Sequence, residues 1–109
     1  MVVARITVWK FKSDQREAAI GVLEEAKKQA RKIDGYSGHL FLLPSEEPDT
    51  EIVVSLWENE EVYQASMQSL LQEVSQNLDK YIVSPPDVMK YTVFSAEVEA
   101  VKPELVKPA

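Results

Sequence analysis

The order of strand and helix patterns is the feature of this sequence that most limits its fold. Apolar residues alternate, or run together as in covered strands, near residues 2–11, 37–43, 51–57 and 88–97. Two longer segments between them repeat apolar residues at steps of three and four, as amphipathic helices do. The order strand, helix, strand, strand, helix, strand predicts an α+β, ferredoxin-like split βαβ fold with an antiparallel sheet.

Turn and cap residues predict the boundaries of these elements. The first helix is expected to begin at an N-cap on Ser13 or Asp14 and to end near Ile33, before a glycine. A short polar loop joins the two middle strands, which favours a hairpin between them. Asn59 is expected to cap the second helix, and two consecutive prolines end it.

Both faces of the first strand are partly apolar, which is typical of a strand covered on both sides. Two helices can cover only one face of the sheet, so a second copy of the chain is the simplest cover for the other. The sequence therefore predicts a homodimer. Residues 1–97 are expected to form one domain, and residues 98–109, with two Lys-Pro pairs, a tail or an arm that packs on the partner.

Composition excludes several classes of function. The 109 residues carry a formal net charge of −6, which disfavours binding to nucleic acid. The chain has no cysteine, so disulfides and thiolate chemistry are excluded. No apolar run is long enough to span a membrane, and the N-terminus lacks the features of a signal peptide, so no membrane partner and a cytoplasmic location are expected.

Four stretches at the element junctions carry a family resemblance. They are ARITVWKF, DGYSGHLFLL, VVSLWENEEVYQAS and PPDVMKYTVFS, and together they cover roughly residues 2–96. Their order and spacing resemble the antibiotic biosynthesis monooxygenase family of dimeric α/β barrels. The resemblance implies a dimeric α/β barrel with a pocket between helices and sheet in each subunit. It also implies oxygenase, haem-degrading or ligand-binding activities.

The resemblance implies positions for active groups, and this sequence departs from them. Members of the quinol oxygenase type often have a histidine in the second helix, where this chain has Ser66. Haem-degrading members have tryptophan at that place and a histidine ten residues later, where this chain has Gln76. They also use an asparagine in the first strand, where this chain has Thr7. Haem degradation is therefore disfavoured, and no cofactor is predicted.

Two residues are candidates for catalysis. Arg5, which shares one face of the first strand with Thr7 and Trp9, can stabilise a phenolate or oxyanion, or can pair with an acid at a barrel rim. His39, the single histidine, can act as a base near neutral pH, although a lone strand histidine is more often a packed or interface residue. A tyrosine is the alternative base.

Aromatic residues supply much of the expected pocket. Trp57 is interpreted first as a core residue that joins the third strand to the second helix, and alternatively as a wall that stacks on an aromatic ligand. Tyr63 and Tyr91 can hydrogen-bond a ligand or can bury the ring with the hydroxyl in water. The predicted pocket residues are Thr7, Trp9, Trp57, Tyr63, Ser66 and Tyr91.

Two acidic groups are interpreted as surface features. The acids within residues 58–61 lie at a helix start, where they interact favourably with the helix dipole. Glu46, Glu47, Asp49 and Glu51 are close in sequence and are expected to form a solvated turn, so no metal site is predicted.

Three functions remain for this chain. The first is a cofactor-independent oxygenase that acts on a small aromatic or quinol-type compound. The second is a non-catalytic dimeric barrel that binds a small apolar ligand in a stress or regulatory role, which the absent helix histidine favours. Haem binding or breakdown is the least favoured.

Overall fold

A computed structural model describes residues 1–97 as a four-stranded antiparallel sheet with helices on one face. The elements are β1 (Val3–Lys10), α1 (Arg16–Ala30), β2 (Tyr36–Leu42), β3 (Thr50–Trp57), α2 (Glu60–Ser66), α3 (Gln72–Leu78) and β4 (Asp87–Thr92). The predicted ferredoxin-like split βαβ order is confirmed. The predicted tail, residues 98–109, lies outside the described residues. Within residues 1–97, no helix is both long and apolar enough to cross a membrane.

The sheet order is β2-β3-β1-β4, so β1 and β3 are its central strands. Strands β2 and β3 pair in an antiparallel manner, which confirms the predicted hairpin. Residues directly opposite in an antiparallel pair project to the same face, so the register defines both faces of the sheet. The helix-covered face includes Arg5 of β1, Ser55 of β3 and His39 of β2.

No helix within residues 1–97 lies on the second face, which is called the open face here. It is almost entirely apolar, although several of its side chains are more than 40% exposed. Its residues are Ala4, Ile6, Val8, Leu40, Leu42, Ile52, Val54, Leu56, Asp87, Met89 and Tyr91. This matches the expectation that both faces of the first strand are partly apolar.

Two buried clusters fill the space between sheet and helices. One contains Trp9, Phe11, Ala19, Leu23, Val74 and Leu78. The other contains Val3, Ala30, Trp57 and Tyr63. Leu70 packs against both clusters, so it stands where they meet.

Three predicted boundaries were wrong. Helix α1 begins at Arg16, and Asp14 adopts a left-handed conformation (φ 63°) in the turn before it instead of capping it. The helix ends at Ala30. After it, the Ile33 amide donates a hydrogen bond to the Ala30 carbonyl, three residues back, in place of the four-residue step of an α-helix. Strand β4 ends at Thr92, short of the predicted residue 97.

The second helical region begins as predicted but is not uniform. The Asn59 side chain accepts a hydrogen bond of 2.9 Å from the Val62 amide, which confirms its cap. A π-helical turn, Met67–Leu71, separates α2 from α3. A single π-helical turn adds a residue and is common at functional sites. Here it includes Leu70 and Leu71, two residues that line the cavity described below.

A β-bulge interrupts the hairpin at Gly38. Tyr36 lies opposite Trp57 and Gly38 opposite Leu56, so Ser37 is an extra residue in β2. Gly38 has a φ of 140°, a backbone conformation that residues other than glycine rarely adopt. After the bulge, His39 lies opposite Ser55 on the helix-covered face.

Replacing Gly38 by alanine should destabilise the protein by about 1–3 kcal/mol, because the added Cβ strains a backbone with positive φ. No atom lies within 4 Å of that Cβ, so a steric clash does not contribute. Urea unfolding measures the loss. Gly21→Ala is the matched control, since Gly21 is exposed within α1 and its Cβ also meets open space. That control should stabilise by about 0.5–1 kcal/mol. Equal effects of the two substitutions would contradict the strain at Gly38.

Candidate functional site

A small cavity of about 60 Å³ lies between the sheet and the helices. Its walls are aromatic on the sheet side and aliphatic on the helix side. The residues lining it are Arg5, Trp9, Leu23, Ala26, Lys27, Ala30, Tyr36, His39, Phe41, Val53, Ser55, Trp57, Leu70, Leu71 and Val74. An apolar cavity with a few converging polar groups is the usual form of a ligand site.

A larger groove of about 640 Å³ runs between α1 and α3 on the outer surface. Every charged or amide side chain in its lining is exposed, as Glu25, Glu73 and Lys80 illustrate. It therefore offers no desolvated polar group with which to bind or activate a ligand, and we place the candidate site in the smaller cavity.

Four polar residues form a row across the sheet, called the polar rung here. His39 pairs with Ser55, Ser55 with Arg5, and Arg5 with Lys90, each directly opposite the next. Neighbouring strands are about 4.8 Å apart, so the backbones at His39 and Arg5 are roughly 10 Å apart. The first three members line the cavity, whereas Lys90 lies at the sheet edge, where it pairs with Glu60 at 2.8 Å.

Arg5 is a buried cation without an acidic partner. It is 8% exposed, and its Nε has no hydrogen-bond partner among the described residues. No ion pair to Arg5 occurs within residues 1–97. Burial lowers the pKa of the guanidinium, and the adjacent Tyr63 hydroxyl opposes that effect only in part. Burying a charge without a counter-ion is costly, so this position favours an anionic ligand.

The charged residues in the cavity lining have one sign. Although the chain carries a net charge of −6, the charged residues of the lining are Arg5 and Lys27, both cations. Lys27 pairs with Glu24 at 2.7 Å outside the lining, which leaves Arg5 as the lining charge with no ion pair within residues 1–97. The cavity is therefore electropositive within an acidic protein.

His39 lies at the opposite end of the rung and contacts Tyr36. The Tyr36 hydroxyl and the His39 Nδ1 form a hydrogen bond, and the two rings stack with their centroids 6.1 Å apart. Burial lowers the pKa of the His39 imidazole, and Lys27 and Arg31 lower it further, whereas Glu24 opposes them. The imidazole is therefore neutral at pH 7.

Trp57 serves both as a core residue and as a wall of the cavity. It is 1% exposed, and its indole N–H donates to the Ser55 hydroxyl at 3.0 Å. Its ring meets Tyr36 edge to face at 5.4 Å between centroids. Trp57 thus fixes two polar residues of the cavity while it packs against Val3 and Tyr63.

The other predicted pocket residues do not line this cavity. Thr7 and Ser66 are buried but are not among the lining residues, and the Ser66 hydroxyl donates to the Val62 carbonyl at 2.9 Å. Tyr63 is buried next to Arg5, with the Lys90 ammonium 5.3 Å from its ring centroid. Tyr91 lies opposite Ala4 on the open face, away from the cavity. Arg5, Trp9, His39 and Trp57 are the predicted residues that the structure brings together there.

Glu51 corrects the prediction of a solvated acidic turn. It is fully buried on the helix-covered face, opposite Trp9, and neither carboxylate oxygen has a hydrogen-bond partner among the described residues. Burial raises its pKa from 4.5 to about 7, with a smaller opposing effect from Arg16 and a further increase from Glu24. Side chains alternate along β3, and this alternation places the Glu51 side chain in the core. The acidic residues of the preceding turn led to the prediction that Glu51 is solvated.

Sequence reasoning missed Tyr36, Ser55 and Lys27 in the cavity. An isolated glycine within a strand often marks a bulge, so Gly38 was the signal that His39 turns toward the helices. The pairing of Ser55 with both neighbours depends on register and had no local signal. Within residues 1–97, no three histidine, aspartate or glutamate side chains are grouped to hold a metal ion.

The sequence matches the family model for antibiotic biosynthesis monooxygenase over residues 1–77. That match covers well over half of the chain, and it agrees with the fold and with a cavity between helices and sheet. The chain therefore belongs to the antibiotic biosynthesis monooxygenase family. No curated protein matches the sequence.

Solved structures of similar fold include proteins of known and unknown activity. NE2512, a protein of unknown function from Nitrosomonas europaea, is 22% identical with a TM-score of 0.77, over 92% of this chain and 96% of that one. Rv0793 from Mycobacterium tuberculosis is 12% identical with a TM-score of 0.78, over 90% and 100%. SnoaB, a cofactor-independent oxygenase from Streptomyces nogalater, is 9% identical with a TM-score of 0.78, over 90% and 98%. At these identities the likeness establishes the fold alone.

Replacing Glu51 by glutamine should stabilise the protein above pH 7. The folded-state pKa of about 7 lies above the ordinary 4.5, so the native state prefers the protonated carboxyl and loses stability as the pH rises through 7. The difference corresponds to roughly 3 kcal/mol at full ionisation. Urea unfolding at several pH values should show the advantage of Glu51→Gln shrinking to near zero by pH 4.5.

The exposed Glu46 provides the control for this prediction. Glu46→Gln should have the same dependence of stability on pH as the wild-type chain. A constant advantage of Glu51→Gln at every pH would show that ionisation of Glu51 is not the cause.

Proposed function

We propose that this protein is a cofactor-independent oxygenase of a small electron-rich aromatic compound, such as a quinol. The observation that carries the proposal is the buried Arg5 guanidinium, which has no anionic partner within residues 1–97 and lines an aromatic cavity. Family membership supports it, because at least one protein of this fold is a cofactor-independent oxygenase.

The proposed reaction needs a substrate anion that reacts with oxygen directly. A nearby cation lowers the pKa of a phenol, so Arg5 favours binding of the phenolate, whose proton passes to bulk water as the ring enters the cavity. A quinol and O₂ then give a hydroxyquinone and water. One oxygen atom enters the ring, the other leaves in water, and all four electrons come from the substrate.

The walls of the cavity serve this chemistry by excluding water. Trp9 and Trp57 are 2% and 1% exposed, and Leu70 and Leu71 close the helix side. In a dry cavity the attraction between Arg5 and an oxyanion is stronger than in water. The volume of about 60 Å³ is below that of typical ligand sites, so we expect a single ring to displace Leu70 or Leu71 on entry.

Replacing Arg5 by glutamine should reduce oxygen uptake with a reactive quinol about 10²–10³-fold, the usual effect of removing one group that stabilises a developing anion. Arg5→Lys keeps the charge and should retain part of the rate. Lys90→Gln, in the same rung but outside the cavity lining, is the matched control and should keep the wild-type rate. Unchanged uptake in Arg5→Gln would remove Arg5 from the mechanism.

A non-catalytic ligand-binding barrel is the second candidate. The observation that favours it is the lining itself, in which no carboxylate accompanies His39 as a partner for acid–base chemistry. Thermal shifts with phenolic ligands, combined with no oxygen uptake for any quinol tested, would support this function over the oxygenase.

We also propose that two copies of the chain pack through the open face into a dimeric α/β barrel. Leu40, Leu42, Met89 and Tyr91 are 41–51% exposed there, and such a continuous apolar surface marks an interface. A second copy of the chain has the same apolar surface and can cover it symmetrically.

Sedimentation should give twice the 12.3 kDa mass of one chain at micromolar concentration. Leu40→Asp places a charge in the open face and should shift the protein to the monomer. Ala65→Asp, on the exposed side of α2, is the control and should remain dimeric. A wild-type monomer at this concentration would contradict the proposal.

A further inference from the structure

The bulge at Gly38 creates a tyrosine–histidine pair. In a regular strand, residues three apart project to opposite faces, so Tyr36 and His39 would be separated by the sheet. The extra residue Ser37 changes this, because Tyr36 lies opposite Trp57 and His39 opposite Ser55, both on the helix-covered face. The bulge therefore brings both side chains to the cavity.

The hydrogen bond between the pair occupies one nitrogen of the imidazole. The Tyr36 hydroxyl contacts Nδ1, which leaves Nε2 as the ring nitrogen available to a ligand. Burial raises the pKa of the Tyr36 phenol, although Arg31 opposes this, and the imidazole pKa is lowered, so both groups are neutral at pH 7. Between a neutral phenol and a neutral imidazole, the phenol is the more acidic donor and the imidazole nitrogen the better acceptor. The Tyr36 O–H therefore donates to Nδ1.

We infer that Tyr36 is a positioning residue that fixes His39 as the Nε2–H tautomer, so that His39 offers the cavity a hydrogen-bond donor and not a base. A neutral imidazole carries one proton, and acceptance at Nδ1 places it on Nε2. This role differs from that of a catalytic base, which the usual pKa of histidine, close to neutral pH, would suggest for His39.

The tautomer determines the class of ligand, a step that rests on the proposed function. Arg5 and Lys27 are obligate donors, and His39 joins them as a third. Ser55 accepts from Trp57 at 3.0 Å, so its own hydroxyl proton is also free to donate. A cavity with donors at both ends fits a ring that carries acceptor oxygens at both ends. Such a ligand is a phenolate with a carbonyl opposite, or a quinone, as forms during oxidation of a quinol.

Nitrogen-15 NMR of the whole protein tests the tautomer directly, because the chain contains one histidine and hence one imidazole signal set. We expect a protonated Nε2 and an unprotonated Nδ1 in the wild-type protein. Tyr36→Phe removes only the hydroxyl, and the Nδ1–H form should then become detectable. Tyr81→Phe, in the outer groove, is the matched control and should leave the imidazole signals unchanged. A wild-type Nδ1–H tautomer would overturn the inference, as would a Tyr36→Phe spectrum identical to that of the wild type.

Binding of two matched phenols tests the ligand class. 4-Hydroxyacetophenone has a carbonyl acceptor opposite its phenol, whereas 4-ethylphenol has a methylene at that place. We expect the ratio of their dissociation constants to favour the ketone in the wild-type protein and to fall about tenfold or more in His39→Ala. An unchanged ratio would overturn the ligand assignment. If neither phenol binds, the proposed function fails, whereas the NMR measurement still decides the tautomer.

Discussion

The pairing register of β1 with its two neighbours is the constraint on which the rest of the structure depends. A slip of one residue would move every side chain of β1 to the other face of the sheet. In the observed register Val3 and Trp9 enter the two core clusters, and Arg5 faces the cavity between them. The same register leaves Ile6 and Val8 on the open face. Core, cavity and proposed interface are therefore consequences of one alignment.

This alignment buries polar groups at a cost in stability. Arg5, Thr7 and Glu51 are each at most 8% exposed, and each has a side-chain atom without a hydrogen-bond partner among the described residues. An apolar residue at any of these positions would be easier to bury. Proteins that break such a rule usually do so at functional sites. For Arg5 the proposed function offers such a reason, since Arg5 lines the cavity, whereas Glu51 lies outside the lining.

Much of the fold could be predicted because its signals are local. Apolar periodicity predicted the order of four strands and two helical regions, and Asn59 predicted the start of the second helical region. The site could be predicted only in part, because its residues meet through pairing across strands. Arg5 and Trp9 share a face by simple alternation, but the alignment of Arg5 with Ser55 and His39 requires the register of three strands and a bulge. The burial of Glu51 was not predicted, because the acidic residues of the preceding turn suggested solvent exposure, whereas its position in β3 places the side chain on the helix-covered face.

Apart from Lys27 of α1, the polar groups of this site come from the sheet, and none comes from the second helix. The resemblance to quinol oxygenases leads one to expect a helix histidine, but Ser66 stands there and donates its hydroxyl to the helix backbone. In its place, Arg5, Ser55 and His39 form a row across three strands. The bulge brings Tyr36 to the same face, where its hydroxyl is hydrogen-bonded to His39. Strands hold side chains more rigidly than loops, which suits a site that must keep donors fixed around an anion. With serine at the helix position, the mechanism that we propose relies on fixed donors that stabilise a substrate anion, and not on a helix base that removes its proton.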